Sequence, residues 1–122
     1  MNARILYVED NNENRILIRR ILTAEGHHLI EADHADRALE ILETEVPDLI
    51  LMDINMPDVD GYTLTAQIKQ LPRMANIPVI ALTANVMKGD RERTIEAGCD
   101  GYIQKPIDVD RLPVVISEYL NG

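Results

Sequence analysis

The sequence has no tryptophan and no phenylalanine, and its only aromatic residues are four tyrosines. A core must therefore be assembled from Ile, Leu, Val, Met and Ala, and so few rings exclude a base-stacking surface or an aromatic-lined ligand groove. Cysteine is nearly absent as well. The single Cys99 rules out an internal disulfide; with no second cysteine and no nearby histidine it reads as a buried thiol rather than a metal ligand. Basic residues are outnumbered, 12 Lys and Arg against 21 Asp and Glu, giving a formal charge of −9 and a pI near 4.7. That balance opposes binding to nucleic acid or anionic lipid, so neither is expected as a partner. No apolar run is long enough to span a bilayer, and no basic, apolar leader opens the chain, so a cytoplasmic protein is expected.

What the sequence does have is a rhythm. Short β-rich runs, "RILYV" at 4–8, "HLIEA" at 28–32, "DLILM" at 48–52, "PVIAL" at 78–82 and "GYI" at 101–103, alternate with helical spacing. The first helix is expected from about Asn12 to Glu25, stopped at Gly26, with Ile16, Ile18, Ile21 and Leu22 among its apolar positions. Ala35, Ala38, Leu39 and Leu42 mark a second apolar stripe, Leu64, Ile68 and Leu71 a third, and Leu112, Val115, Ile116 and Tyr119 a last one. Around 87–97 the run "MKGDRERTIEAG" is mostly charged and offers little beyond Met87 and Ile95 to bury, which predicts the least firmly anchored helix. Five βα units with right-handed crossovers make an α/β doubly wound three-layer fold, and 122 residues fit one such domain, 1–122, without an internal boundary.

In sheets of this kind ligands bind beyond the carboxyl ends of the strands, so the polar residues that terminate apolar runs are the ones to watch. Strand one runs into Glu9 and Asp10, strand three into Asp53, strand four into Thr83, and Lys105 follows strand five. Three carboxylates on one edge repel one another unless a cation intervenes, and oxygen ligands without His or Cys suit Mg²⁺. With a hydroxyl from Thr83 and an ammonium from Lys105, such an edge holds what phosphoryl transfer needs, and Asp53 is the candidate nucleophile for an aspartyl phosphate.

The motifs "VEDN" at 8–11, "DINMPDVDG" at 53–61, "ALTA" at 81–84 and "KP" at 105–106, in this order and spacing, resemble a receiver domain of two-component response regulators. The likeness spans nearly the whole chain and is nearest in flavour to stand-alone DivK-like regulators and to receivers fused to hybrid histidine kinases. It implies a flavodoxin-like (βα)5 sandwich with strand order 2-1-3-4-5. It also implies phosphoryl transfer from a histidine kinase or histidine phosphotransfer protein onto Asp53, with Mg²⁺ held by Glu9, Asp10, Asp53 and the backbone carbonyl of Asn55. By the same resemblance Lys105, Thr83 and Ala84 meet the phosphoryl oxygens, Tyr102 turns inward as a switch, and the bond before Pro106 is cis. Output is implied at the surface of the fourth helix, fifth strand and fifth helix. One departure is Glu9, where many receivers carry aspartate. Asn55 and Asn85 occupy positions where family members differ in how fast the acyl phosphate hydrolyses.

Plainer roles stand beside these. Asp53 alone reads as a turn residue ahead of Pro57, and Asp10 with Asn11 as an N-cap. Asp58 and Asp60 read as loop and capping residues, Thr83 as a strand end, Lys105 as a solvated lysine and Tyr102 as packing. His27, His28 and His34 lie away from the inferred site and are assigned solvated or structural roles. Rival functions are an Mg²⁺-dependent aspartyl-phosphate phosphatase, for which the chain offers no second acid/base or cap domain, and flavin binding, which the acidic "EDNNEN" loop disfavours. A third is a receiver cut from a hybrid kinase, although Met1 directly before the first strand favours a free-standing chain. A monomer or weak dimer is expected, with Val114, Val115 and Tyr119 forming an apolar face on the last helix.

Overall fold

A computed structural model of the chain describes residues 2–56, 59–84 and 90–121, with Asp90 and Arg91 described by backbone alone. The elements run β1 (Arg4–Val8), α1 (Asn12–Ala24), β2 (His28–Ala32), α2 (Ala35–Leu42), β3 (Leu49–Asp53), α3 (Gly61–Lys69), β4 (Val79–Thr83), α4 (Asp90–Glu96), β5 (Gly101–Gln104) and α5 (Arg111–Asn121), with a single 3₁₀ turn at Pro72–Met74. All strand pairs are parallel and the order is β2-β1-β3-β4-β5. This is the doubly wound sandwich expected from the alternation of runs.

Strand alternation divides the core in two. Leu6, Val8, Ile50, Met52, Val79 and Ala81 face α2 and α3, where Ala38, Leu42, Leu64 and Ile68 pack on them. Ile5, Tyr7, Leu49, Leu51, Ile80 and Leu82 face the other way, onto Ile18 and Leu22 of α1 and Leu112 and Ile116 of α5. β3 and β4 are buried along their whole length, as strands covered on both faces must be, and each such Leu, Ile or Val contributes about 1.5–3 kcal/mol relative to exposure.

Local signals fix where the helices begin and end. The Asn11 side chain accepts from the Asn14 N–H at 2.9 Å and so is the N-cap of α1, which leaves Asp10 out of that role. Asp60 caps α3 in the same way through the Tyr62 N–H at 3.1 Å, while Asp58 lies outside the described residues. Gly26, just past α1, has φ of 88°, a left-handed conformation that a side chain disfavours.

Three expectations need correction. Leu71 is not part of the α3 stripe: α3 ends at Lys69, Pro72 starts the 3₁₀ turn, and Leu71 is exposed. Ile95 does not anchor α4, being 66% exposed; among the described side chains of that helix the buried one is Thr94, and Met87 lies outside the described residues. On α5, Val114 is exposed, but Val115 and Tyr119 pack against the core and do not join it in an outward face. His27 is buried and structural, its Nδ1 accepting the Ala3 N–H at 3.1 Å. No helix among the described residues is long and apolar enough to cross a membrane.

Candidate functional site

The carboxyl edge of the sheet gathers the residues that end its strands. Asp53 is the last residue of β3, paired with Leu82, and Thr83 is the last of β4, paired with Gln104. Both are buried, as is Glu9 just beyond β1, whose N–H is fixed to the Ala32 carbonyl at 2.9 Å. Asp10 is exposed beside them, and Glu9, Asp10 and Asp53 each bring a carboxylate oxygen to within 4.8 Å of the others. Lys105 reaches back from beyond β5, its N–H bonded to the Thr83 carbonyl at 2.7 Å. Its Nζ lies 2.9 Å from Asp53 Oδ1 and 3.6 Å from Glu9 Oε1. The Lys105–Pro106 bond is cis.

Asn55 ties two of the strand-end loops together. Its N–H donates to Asp53 Oδ1 at 3.1 Å, and its side-chain Oδ1 accepts the Ala84 N–H at 3.4 Å. Tyr102 lies on β5 opposite Ala81 and is 37% exposed. Asn85 lies outside the described residues. Sequence reading missed two neighbours of Glu9. The Tyr7 hydroxyl donates to Glu9 Oε1 at 3.1 Å, and Asn14 Nδ2 donates to the same oxygen at 3.3 Å. A signal for the first was available, because residues two apart on a strand share a face.

The electrostatics follow from crowding. Burial, then the hydrogen bond it shares with Asp53, pushes the Glu9 carboxyl up to about 7. Burial works to raise Asp53 too, but hydrogen bonds from Glu9, from Lys105 and from the Asn55 N–H hold it below the usual carboxylate range. Burial and the closeness of the two carboxyls thus make a fully ionised pair costly, because the edge gathers more carboxylate than Lys105 offsets. The hard oxygen donors of this edge suit a small divalent cation.

The family model of the response regulator receiver domain matches residues 5–117. The chain belongs to the response regulator receiver domain family. The polar-differentiation response regulator DivK of Brucella ovis is 42% identical to this receiver over 120 residues, which cover 98% of each chain. The receiver domain of a sensor histidine kinase from Pseudomonas aeruginosa PAO1, solved with a magnesium ion coordinated in its active-site cleft, is 33% identical with a TM-score of 0.91, and 100% of each chain is covered. Chemotaxis protein CheY4 of Vibrio cholerae, at 21% identity, has a TM-score of 0.93 over 98% of this chain and 99% of its own, and so shares the fold. This receiver is a phosphoacceptor domain of signal transduction rather than an enzyme, which leaves the phosphatase reading without support.

Proposed function

We propose that residues 1–122 form one receiver domain that takes a phosphoryl group from a phosphohistidine onto Asp53. An Asp53 carboxylate oxygen attacks phosphorus as the bond to the imidazole nitrogen breaks, and the histidine ring leaves with the electron pair. What carries the reading is the placing of Lys105 Nζ at 2.9 Å from Asp53 Oδ1, inside an acidic trio whose oxygens lie within 4.8 Å of one another. Hydrogen bonds that hold Asp53 below the usual carboxylate range keep it ionised and nucleophilic at neutral pH.

Glu9, Asp10, Asp53 and the Asn55 carbonyl would hold Mg²⁺, which would supply positive charge to offset the phosphoryl oxygens and the crowded carboxylates. Lys105 shifts its ammonium from Asp53 to a phosphoryl oxygen, and the Thr83 hydroxyl and Ala84 N–H donate to the others. Taking up that bond draws the Ala84 N–H away from Asn55, so the loop after β4 rearranges. Tyr102, exposed before phosphorylation, turns inward behind Thr83, and the surface of α4, β5 and α5 is altered for a downstream protein. The donor is a histidine kinase or histidine phosphotransfer protein; the domain is cytoplasmic and a monomer or weak dimer.

Intact-mass spectrometry after incubation with acetyl phosphate tests this. One added phosphoryl mass that requires Mg²⁺ and is lost in Asp53→Asn is the expected result, and an adduct of wild-type yield in Asp53→Asn overturns the assignment. Lys105→Ala is expected to leave some phosphorylation while removing phosphorylation-dependent partner binding. A second reading, a receiver that works as a segment of a hybrid histidine kinase, draws support from the 33% identity to the receiver of the Pseudomonas sensor kinase. The coding sequence flanking the chain separates the two.

A further inference from the structure

The acidic edge contains a glutamate where a shorter aspartate would serve, and the donors around that glutamate are unevenly shared. Oε1 of Glu9 meets the Tyr7 hydroxyl at 3.1 Å, Asn14 Nδ2 at 3.3 Å and Lys105 Nζ at 3.6 Å. Oε2 has one long contact, 3.5 Å, from the Asn11 N–H. We infer that Tyr7 and Asn14 are positioning residues for metal binding: both donate to Oε1 of Glu9, so that Oε2 is the oxygen left for the cation. The inference rests on the proposed Mg²⁺ site and assigns it two residues outside the ligand set.

The geometry follows from the chain. Tyr7 and Glu9 are two residues apart, so the ring and the carboxyl point to the same side of the sheet. The ring is fixed in the apolar layer beneath α1 and α5 and is fully buried, so its hydroxyl cannot wander. Asn14 sits in the first turn of α1, held there by the Asn11 cap at 2.9 Å, and donates from the helix to the same oxygen. A flexible glutamate is thereby restricted to one orientation. Without the two donors Oε1 would keep only the longer Lys105 contact at 3.6 Å, and the cation would have to complete the ordering of the side chain as it binds.

The experiment is an isothermal titration of Mg²⁺ alone into the metal-free protein, for wild type, Tyr7→Phe, Asn14→Ala, Glu9→Asp and the double variant Tyr7→Phe/Glu9→Asp. Phenylalanine keeps the buried ring, and near-ultraviolet circular dichroism checks that packing is retained. Tyr7→Phe is expected to weaken Mg²⁺ about tenfold and Asn14→Ala by a few-fold, in the range seen when groups behind a metal ligand are removed. In the Glu9→Asp background the shorter side chain no longer reaches the hydroxyl, so the added Tyr7→Phe change is expected to cost nothing. Mg²⁺ is also expected to give wild type a tyrosine difference spectrum that Tyr7→Phe lacks, readable because the chain has no tryptophan. Unchanged affinity in Tyr7→Phe, or an equal loss in both backgrounds, overturns the positioning role while leaving the metal site standing. Failure of wild type to bind Mg²⁺ overturns the metal site and the positioning role with it.

Discussion

Both ends of this sheet carry carboxylates beside a lysine, yet the two are built to different ends. At the amino edge Asp100 Oδ2 accepts the Val79 N–H at 2.8 Å and Lys69 Nζ at 3.0 Å, and Lys69 spends a further proton on the Ile77 carbonyl at 2.6 Å. Asp48 there takes the Arg4 N–H at 2.8 Å. Each of these carboxylates has donors of its own. At the carboxyl edge three carboxylates converge, one lysine reaches only Glu9 and Asp53 of them, and crowding raises the cost of ionising Glu9. Carboxylate–lysine pairing is common to structural and working sites; surplus charge of one sign is what separates them.

The largest test of that contrast exchanges an aspartate for asparagine at each edge. Asp53→Asn is expected to abolish phosphoryl labelling by mass spectrometry with the fold intact. Asp100→Asn is expected to leave labelling unchanged. The next effect is steric. A Cβ on Gly61 would lie 2.6 Å from the Asp53 carbonyl and 2.7 Å from Ile54 Cα, so Gly61→Ala is expected to destabilise the domain by about 1–3 kcal/mol in urea unfolding. Asp100→Asn itself ranks third, at about 1–2 kcal/mol, because it weakens one backbone and one lysine hydrogen bond near the surface.

The smallest effect is on pH dependence. Glu9 has an ordinary value of 4.5 and a folded one of about 7, so the folded chain holds this proton more tightly than the unfolded. Its contribution is complete below 4.5 and is lost as pH rises through about 7. Asp53 runs the opposite way, losing its contribution only as pH falls below 3.8, outside that window. Burial holds His27 below 6.5, so it loses stability as pH falls through 6.5 and opposes Glu9. The measurement is therefore a difference. Between pH 4.5 and 7 the metal-free melting temperature of wild type is expected to fall relative to Glu9→Gln, and saturating Mg²⁺ is expected to reverse the trend.

The sequence was most readable where one force dominates. Apolar runs placed every strand to within a residue, since a strand covered on both faces has little choice of composition, and the strand ends then brought Glu9, Asp53, Thr83 and Lys105 to one edge. Residues that act through a hydrogen bond were hidden. Tyr7 looks like any core aromatic until its hydroxyl is seen on Glu9, and nothing in the order of residues says which oxygen it meets. What attaches the fourth helix was hidden for the same reason, because periodicity measures only apolar anchoring. Its attachment is polar: the Tyr62 and Thr94 hydroxyls lie 3.2 Å apart, the Arg93 guanidinium sits 4.7 Å from the Tyr62 ring centre, and Arg93 also reaches Asp60 Oδ2 at 3.4 Å.

That attachment has a bearing on how the domain responds to its surroundings. The other helices are seated by apolar area, which salt strengthens if anything, whereas Arg93 and Asp60 are both largely solvent-facing and their attraction is screened within about 10 Å at 0.1 M ionic strength. Among the described residues, α4 is thus the helix whose seating leans most on exposed polar contacts and so is set to vary with the ionic composition of the medium. Hydrogen exchange in α4 should quicken with added salt while the β-sheet amides hold steady, making ionic strength a dial for this helix.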